Sequence, residues 1–115
     1  MTVTIFHNPR CNTSRAVLAE LQGKGLDITI VEYLKHPPDR ATLVDLLKRL
    51  DMSPRALLRR KEAVYGELGL DDTTLSDDRL IDAMLAHPIL IERPIVVTAR
   101  GARVCRPVSL LAEIL

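Results

Sequence analysis

The fold is decided by the stretch VTIFHNPRCNTSRAVLAEL, which spans residues 3–21. Its first residues are apolar or β-branched and predict a strand, Val3–Phe6. Pro9 ends that strand, and the apolar spacing after it predicts a helix from about Cys11 to Gly23. Cys11 is therefore expected in a strand-to-helix turn, at or near the N-terminus of the helix.

A cysteine at a helix N-terminus has a chemical consequence. Unpaired backbone N–H groups and the helix dipole favour negative charge there, and this pushes a thiol toward the nucleophilic thiolate. The same N–H groups can hold an oxyanion. His7, Arg10 and Arg15 add cationic or potentially cationic groups around Cys11. The alternative is that Cys11 is a small buried apolar residue, which is common for a free cysteine.

Length and composition predict one globular domain, residues 1–115. Of the 115 residues, 47% are hydrophobic and 27% are charged, and the net charge of +1 gives no reason to expect nucleic acid as a partner. No apolar run approaches the roughly 20 residues that cross a bilayer, and the N-terminus lacks a signal-peptide pattern. We therefore expect a cytoplasmic protein that has no membrane partner.

Two further groups of strands complete the predicted sheet. The β-branched run Leu26–Tyr33 predicts a second strand, which makes a βαβ unit with parallel strands. Ile95–Thr98 and Ala102–Cys105 predict an antiparallel hairpin, and Pro107 can start a last helix. A βαβ unit followed by a ββα unit predicts an α/β, thioredoxin-like fold with a mixed four-stranded sheet. Pro94 stands where such folds place a cis-proline.

Between the two strand pairs, residues 39–86 predict a helical insertion without strands. Asp39 can cap a helix that carries a leucine stripe, and Ser76 can cap another. Ser53-Pro54 predicts a third helix start, and this short helix is expected to carry Arg55, Arg59, Arg60 and Lys61.

Six groups of residues match the motifs of one enzyme family in order and spacing. They are His7-Asn8-Pro9 with Cys11 and Thr13-Ser14-Arg15, Tyr33-Leu34 with Pro37-Pro38, Arg55–Arg59, Leu80–Ile91, Arg93–Val97, and Cys105-Arg106-Pro107. They cover nearly the whole chain. On these residues the chain resembles the glutaredoxin-coupled arsenate reductases, the ArsC family.

The resemblance implies an arsenate reductase in which one cysteine is the nucleophile and three arginines bind the oxyanion. It implies arsenate as the substrate, glutathione as a co-substrate, glutaredoxin as the reducing partner, and no bound cofactor. The implied site consists of the nucleophile Cys11, the oxyanion-binding Arg59, Arg93 and Arg106, and the supporting His7 and Ser14.

The residue types suit this chemistry independently of the family. A guanidinium group is a planar, permanent cation that pairs with two oxygens of an anion at once. For any single arginine the alternative is an exposed residue or half of an ion pair, which is the common case. The three histidines and two cysteines lack the spacing of a metal site.

The segment around Cys11 is monothiol, because Ser14 stands where a dithiol oxidoreductase has its second cysteine. An external thiol is therefore expected to resolve Cys11, although a resolving role for Cys105 is conceivable. Two other functions stay open. One is a related glutathione-dependent thiol reductase of the same fold, and the other is a redox-responsive regulator that binds RNA polymerase. The complete arginine set argues against both, and Ser14 removes the Cys-x-x-Cys switch typical of such regulators.

Overall fold

A computed structural model describes residues 2–115. Its strands and helices are β1 (Thr2–His7), α1 (Asn12–Gly23), β2 (Asp27–Glu32), α2 (Arg40–Leu50), α3 (Pro54–Leu57), α4 (Ala63–Glu67), α5 (Asp77–Ala86), β3 (Ile95–Thr98) and β4 (Gly101–Val104), with two 3₁₀ helices, Pro88–Leu90 and Val108–Glu113. They fall into two compact units. The sheet unit is the chain up to His36 together with Arg93–Leu115, and the helical unit is Pro37–Glu92. The assignment of both units to one domain stays a prediction.

The sheet has four strands in the order β2-β1-β3-β4. β1 runs parallel to β2 and antiparallel to β3, and β3 runs antiparallel to β4. The central pair β1 and β3 places Ile5 opposite Val96. This topology confirms the predicted mixed sheet of a βαβ unit and a hairpin.

The core of the sheet unit fixes α1 against the sheet. On α1, the residues that turn inward are spaced by three and four positions, as one helix face requires: Ser14, Val17 and Leu21. Val17 and Leu21 pack within a buried cluster whose members come from both ends of the chain: Val3, Ile5, Val17, Leu21, Val96, Cys105, Leu111 and Ile114. Because both β1 and α1 contribute to this cluster, the turn that joins them is held at both ends.

The helical unit follows the capping pattern of its sequence. The Asp39 carboxylate accepts the Thr42 N–H at the start of α2, and the Ser76 hydroxyl accepts the Arg79 N–H at the start of α5. Arg40 on α2 donates to Asp78 and Asp82 on α5. The predicted helical insertion between β2 and β3 is confirmed, and its bounds 39–86 stay a prediction.

The prediction that the helix after Ser53 carries Arg59, Arg60 and Lys61 is wrong. α3 ends at Leu57, and Leu58 makes an antiparallel bridge with Ile91. In this extended pairing the Arg59 N–H donates to the Leu90 carbonyl at 2.8 Å. Because these backbone groups already have hydrogen-bond partners, further helical turns would add no new bonds for them. A helix of only four residues is also weakly stable, so it ends easily at Leu57.

Smaller differences concern the ends of elements. β2 ends at Glu32 rather than Tyr33, and the last helix is of the 3₁₀ type. The Arg93–Pro94 bond is cis, at the position that the sequence singled out, and Arg106–Pro107 is cis as well. Within residues 2–115, none of the helices has the length and apolar character to span a bilayer.

Candidate active site

The candidate site begins in the turn between β1 and α1. Pro9 follows Asn8 in this turn, and a proline at the second position is favoured in tight turns. The Asn8 carbonyl accepts the Cys11 N–H at 3.0 Å, and the Asn8 side-chain oxygen accepts the Arg10 N–H at 3.0 Å. Cys11 is the N-cap of α1 in an extended conformation, with φ −92° and ψ 122°. The predicted position of Cys11 at the helix N-terminus is confirmed.

Polar groups of two kinds act on the Cys11 sulfur. The backbone N–H groups of Thr13 and Ser14, in the first turn of α1, lower the pKa of the thiol, although the Cys11 side chain makes no capping hydrogen bond at the start of this helix. The Arg93 guanidinium donates to the sulfur, and Arg106 Nη1 lies 3.5 Å from Sγ. Arg106 Nη1 also lies 3.4 Å from the Arg93 carbonyl oxygen, so the two arginines are linked beside the sulfur.

These donors determine the acidity of Cys11. Burial alone would raise the pKa of the thiol, since the side chain is only 8% exposed. The Ser14 N–H, the hydrogen bond and charge of Arg93, and the Thr13 N–H outweigh burial, and the pKa of Cys11 is lowered from its ordinary value. The geometry therefore favours the thiolate over an inert buried thiol.

His7 and Ser14 form a buried pair below the turn. The His7 Nδ1 and Ser14 Oγ atoms lie 2.6 Å apart, and Ser14 Oγ also accepts the Asn8 N–H at 3.1 Å. Burial lowers the pKa of His7, Glu32 opposes this and Arg15 adds to it, so the ring is neutral near pH 7. His7 therefore contacts Ser14, whose own backbone N–H lowers the pKa of Cys11. Their supporting role stays a prediction.

Arg15 stabilises the turn before α1 rather than donating to the Cys11 sulfur. Its side chain donates to the Pro9 carbonyl at 2.9 Å and to the Asn12 side-chain oxygen. Arg15 thus braces the turn, and the cations that donate to the sulfur are Arg93 and Arg106.

Arg59 lies in the helical unit and is held by two carboxylates. Its Nε donates to Glu62 at 3.1 Å, and its Nη1 donates to Glu92. The Arg59 side chain is only 14% exposed. Burial alone would lower the pKa of Arg59, but Glu92 and Glu62 outweigh it and raise the pKa, which keeps the guanidinium charged. Sequence reasoning missed the ion pair with Glu92, because a partner 33 positions away leaves no local pattern. Glu62 is only three positions away, and this spacing could have indicated the second pair.

Cys105 lies in the apolar cluster of the sheet unit and is fully buried. Desolvation raises its pKa to about 11. At neutral pH it is therefore a thiol with almost no thiolate, in contrast to Cys11.

Within residues 2–115, no group of three or more His, Cys, Asp or Glu side chains is arranged to hold a metal ion.

Comparison with known proteins identifies the family. A sequence profile described as the ArsC family matches residues 6–114. The chain belongs to the ArsC family. The predicted resemblance is thereby confirmed over almost the full length of the chain.

Individual proteins are similar to this chain along its whole length. An arsenate reductase of Escherichia coli (strain K12) is 52% identical over 113 residues, which are 98% of this chain and 80% of that protein. An arsenate reductase of Rhizobium meliloti (strain 1021) is 50% identical over 115 residues, which are 100% of this chain and 82% of that protein. A solved structure of an arsenate reductase from Vibrio cholerae superposes with a TM-score of 0.96 at 46% identity, and covers 100% of this chain and 98% of that one.

The two cysteines of this ArsC-family chain are predicted to differ in reactivity. Because the pKa of Cys11 is lowered and that of Cys105 is about 11, alkylation of native protein by iodoacetamide near pH 7.5 should modify Cys11 alone. The rate should rise with pH around a midpoint below about 8.5, the value of an unperturbed thiol. Peptide mass spectrometry locates the label, and denatured protein, in which both thiols react, is the control. Preferential labelling of Cys105 would contradict the assignment.

Proposed function

We propose that this chain reduces arsenate to arsenite, with the Cys11 thiolate as nucleophile and with glutathione and glutaredoxin as reductants. The observation that carries the proposal is the Cys11 sulfur surrounded by the N–H groups of Thr13 and Ser14 and by the Arg93 and Arg106 side chains. Such a site favours a thiolate and attracts an oxyanion. The relatives of this chain that bear the name arsenate reductase support arsenate as that oxyanion.

Arginine side chains are proposed to hold the substrate. Arsenate is a tetrahedral anion with about two negative charges near neutral pH, so it repels a thiolate unless cations stand between them. Arg93 and Arg106 already donate to the sulfur and can transfer these donors to arsenate oxygens. Arg59 is assigned the third oxyanion-binding role on the resemblance to the family. Glu62 and Glu92 hold its guanidinium in one orientation.

The first chemical step joins sulfur to arsenic. The Cys11 thiolate attacks arsenic, an arsenate oxygen takes up protons and leaves as water, and a Cys11–S–As(V) adduct forms. The arginines stabilise the negative charge that builds on the remaining oxygens. Arsenic is not yet reduced at this stage.

External thiols complete the reaction. Glutathione displaces a second oxygen as water and gives a mixed Cys11–arsenic–glutathione species. A glutaredoxin thiolate then attacks the glutathione sulfur and forms a glutaredoxin–glutathione disulfide, and the electron pair of the arsenic–sulfur bond stays on arsenic and reduces it to As(III). Water releases arsenite and restores the Cys11 thiol. Cys105 is proposed to take no part, because it is buried and protonated.

The cysteine variants test the proposal directly. Cys11→Ser should lower arsenite formation by more than about a hundredfold, because a serine hydroxyl stays protonated and is a weak nucleophile. Cys105→Ala should keep activity within about tenfold of the unmodified chain, which corresponds to a barrier change of about 1.4 kcal/mol. Arsenite is measured with glutathione plus glutaredoxin, and parallel reactions contain thioredoxin instead.

Three outcomes of this assay would count against the proposal. Retained activity in Cys11→Ser would exclude Cys11 as the nucleophile. Equal rates with thioredoxin would exclude the glutaredoxin step. A Cys11–Cys105 disulfide as the main product of a single turnover, seen by intact mass, would replace glutathione with an internal resolving thiol.

The role of Arg59 is tested against its chain neighbour. Arg59→Gln should lower kcat/KM for arsenate by roughly 10- to 100-fold, since a charge-assisted contact to the anion contributes about 1.5–3 kcal/mol. Arg60→Gln is the matched control, because Arg60 follows directly and is exposed. Thermal melting of each variant separates loss of binding from loss of folding. A larger effect of Arg60→Gln would show that the oxyanion site is misassigned.

A further inference from the structure

Asn8 makes more hydrogen bonds in the Cys11 turn than its role as a turn residue suggests. Its side chain is buried, with 3% of the residue exposed, although it is polar. Three of its groups bind three different residues. The side-chain oxygen accepts the Arg10 N–H at 3.0 Å, the carbonyl accepts the Cys11 N–H at 3.0 Å, and the Asn8 N–H donates to Ser14 Oγ at 3.1 Å.

These three bonds join the strand, the cysteine and the helix. The Asn8 side-chain oxygen closes the turn by accepting from Arg10, and the Asn8 backbone carbonyl closes the same turn by accepting from Cys11. The bond to Ser14 ties the turn to the first turn of α1, whose backbone N–H groups lower the pKa of the Cys11 thiol. Hydrogen bonds weaken steeply with distance and angle, so the conformation of the turn decides how well these N–H groups reach the sulfur.

We propose that Asn8 is a positioning residue, which holds Cys11 at the N-terminus of α1 through the hydrogen bond that its side-chain oxygen accepts from the Arg10 N–H. Asn8 acts on the reaction through Cys11 and does not itself touch the reacting atoms. The catalytic consequence rests on the proposed function, whereas the effect on the thiol does not.

Two variants and one matched control test this role. Asn8→Ala removes the acceptor for the Arg10 N–H. Asn8→Ser keeps a side-chain oxygen that can still accept this N–H, though more weakly. Asn12→Ala is the control, because it removes an exposed amide side chain from the same segment, while Arg15 keeps its bond to the Pro9 carbonyl and still braces the turn. The pKa of Cys11 is measured from the pH dependence of alkylation in the Cys105→Ala background, and kcat/KM for arsenate is measured on the same proteins.

The expected results form one pattern. Asn8→Ala raises the pKa of Cys11 by about one unit, which is a tenfold change in the thiol–thiolate equilibrium, and kcat/KM at a pH below the pKa of the unmodified chain falls by about tenfold. Asn8→Ser recovers most of both changes, and Asn12→Ala changes neither. If Asn8→Ala raises the pKa of Cys11 but leaves kcat/KM for arsenate unchanged, the positioning role stands. The proposed role of the Cys11 thiolate in arsenate reduction then fails.

Two results would overturn the positioning role. The first is a lower melting temperature in Asn8→Ala with an unchanged pKa of Cys11, because a purely structural residue would give that result. The second is a pKa in Asn8→Ser as high as that in Asn8→Ala. If Asn8→Ala does not fold, hydrogen exchange in the unmodified chain replaces it. The Arg10 amide should then be protected although Arg10 is exposed, and exchange at the rate of an unstructured peptide would overturn the proposal.

Discussion

The hydrogen bonds to the Cys11 sulfur are the constraint on which the account depends. A thiolate that must react with an anion needs positive charge twice, first to exist at neutral pH and then to let a second negative charge approach. Two backbone N–H groups and two guanidinium groups meet this need at one sulfur atom. The backbone donors are fixed by α1, and the arginine side chains can turn toward a bound oxyanion.

The scaffold explains why these groups meet. β1 and α1 pack into one buried cluster, and the turn between them has both of its ends fixed. Arg93 precedes β3 and Arg106 follows β4, and these two strands form the hairpin that extends the sheet beside β1. Two residues 13 positions apart in sequence therefore lie next to a cysteine far from both. The same cluster buries Cys105 and removes it from thiol chemistry.

Sequence alone predicted the features that depend on local pattern. Residue types and spacing predict the strand-to-helix turn at Cys11, the helix caps Asp39 and Ser76, and the order of strands and helices along the chain. The extent of the helix after Ser53 could not be predicted, because it ends where Leu58 pairs with Ile91, a partner distant in sequence. For the same reason the Arg59–Glu92 ion pair became visible only in the structure. The bonds of Asn8 are local, but they depend on the conformation of the turn, which the residue types alone do not specify. Sequence supplied the residues of the site, and the long-range contacts supplied their arrangement.

The central claim is that the Cys11 thiolate and an oxyanion share the same donors, and its most direct test is the pKa of Cys11 with and without sulfate. Cys11 alkylation is followed against pH in the Cys105→Ala background, and sodium chloride keeps the ionic strength equal in all samples. The account predicts that sulfate raises the pKa and, by linkage, that sulfate binds more weakly as Cys11 loses its proton. A pKa that does not change with saturating sulfate, or that starts at or above the unperturbed value of about 8.5, would contradict the account.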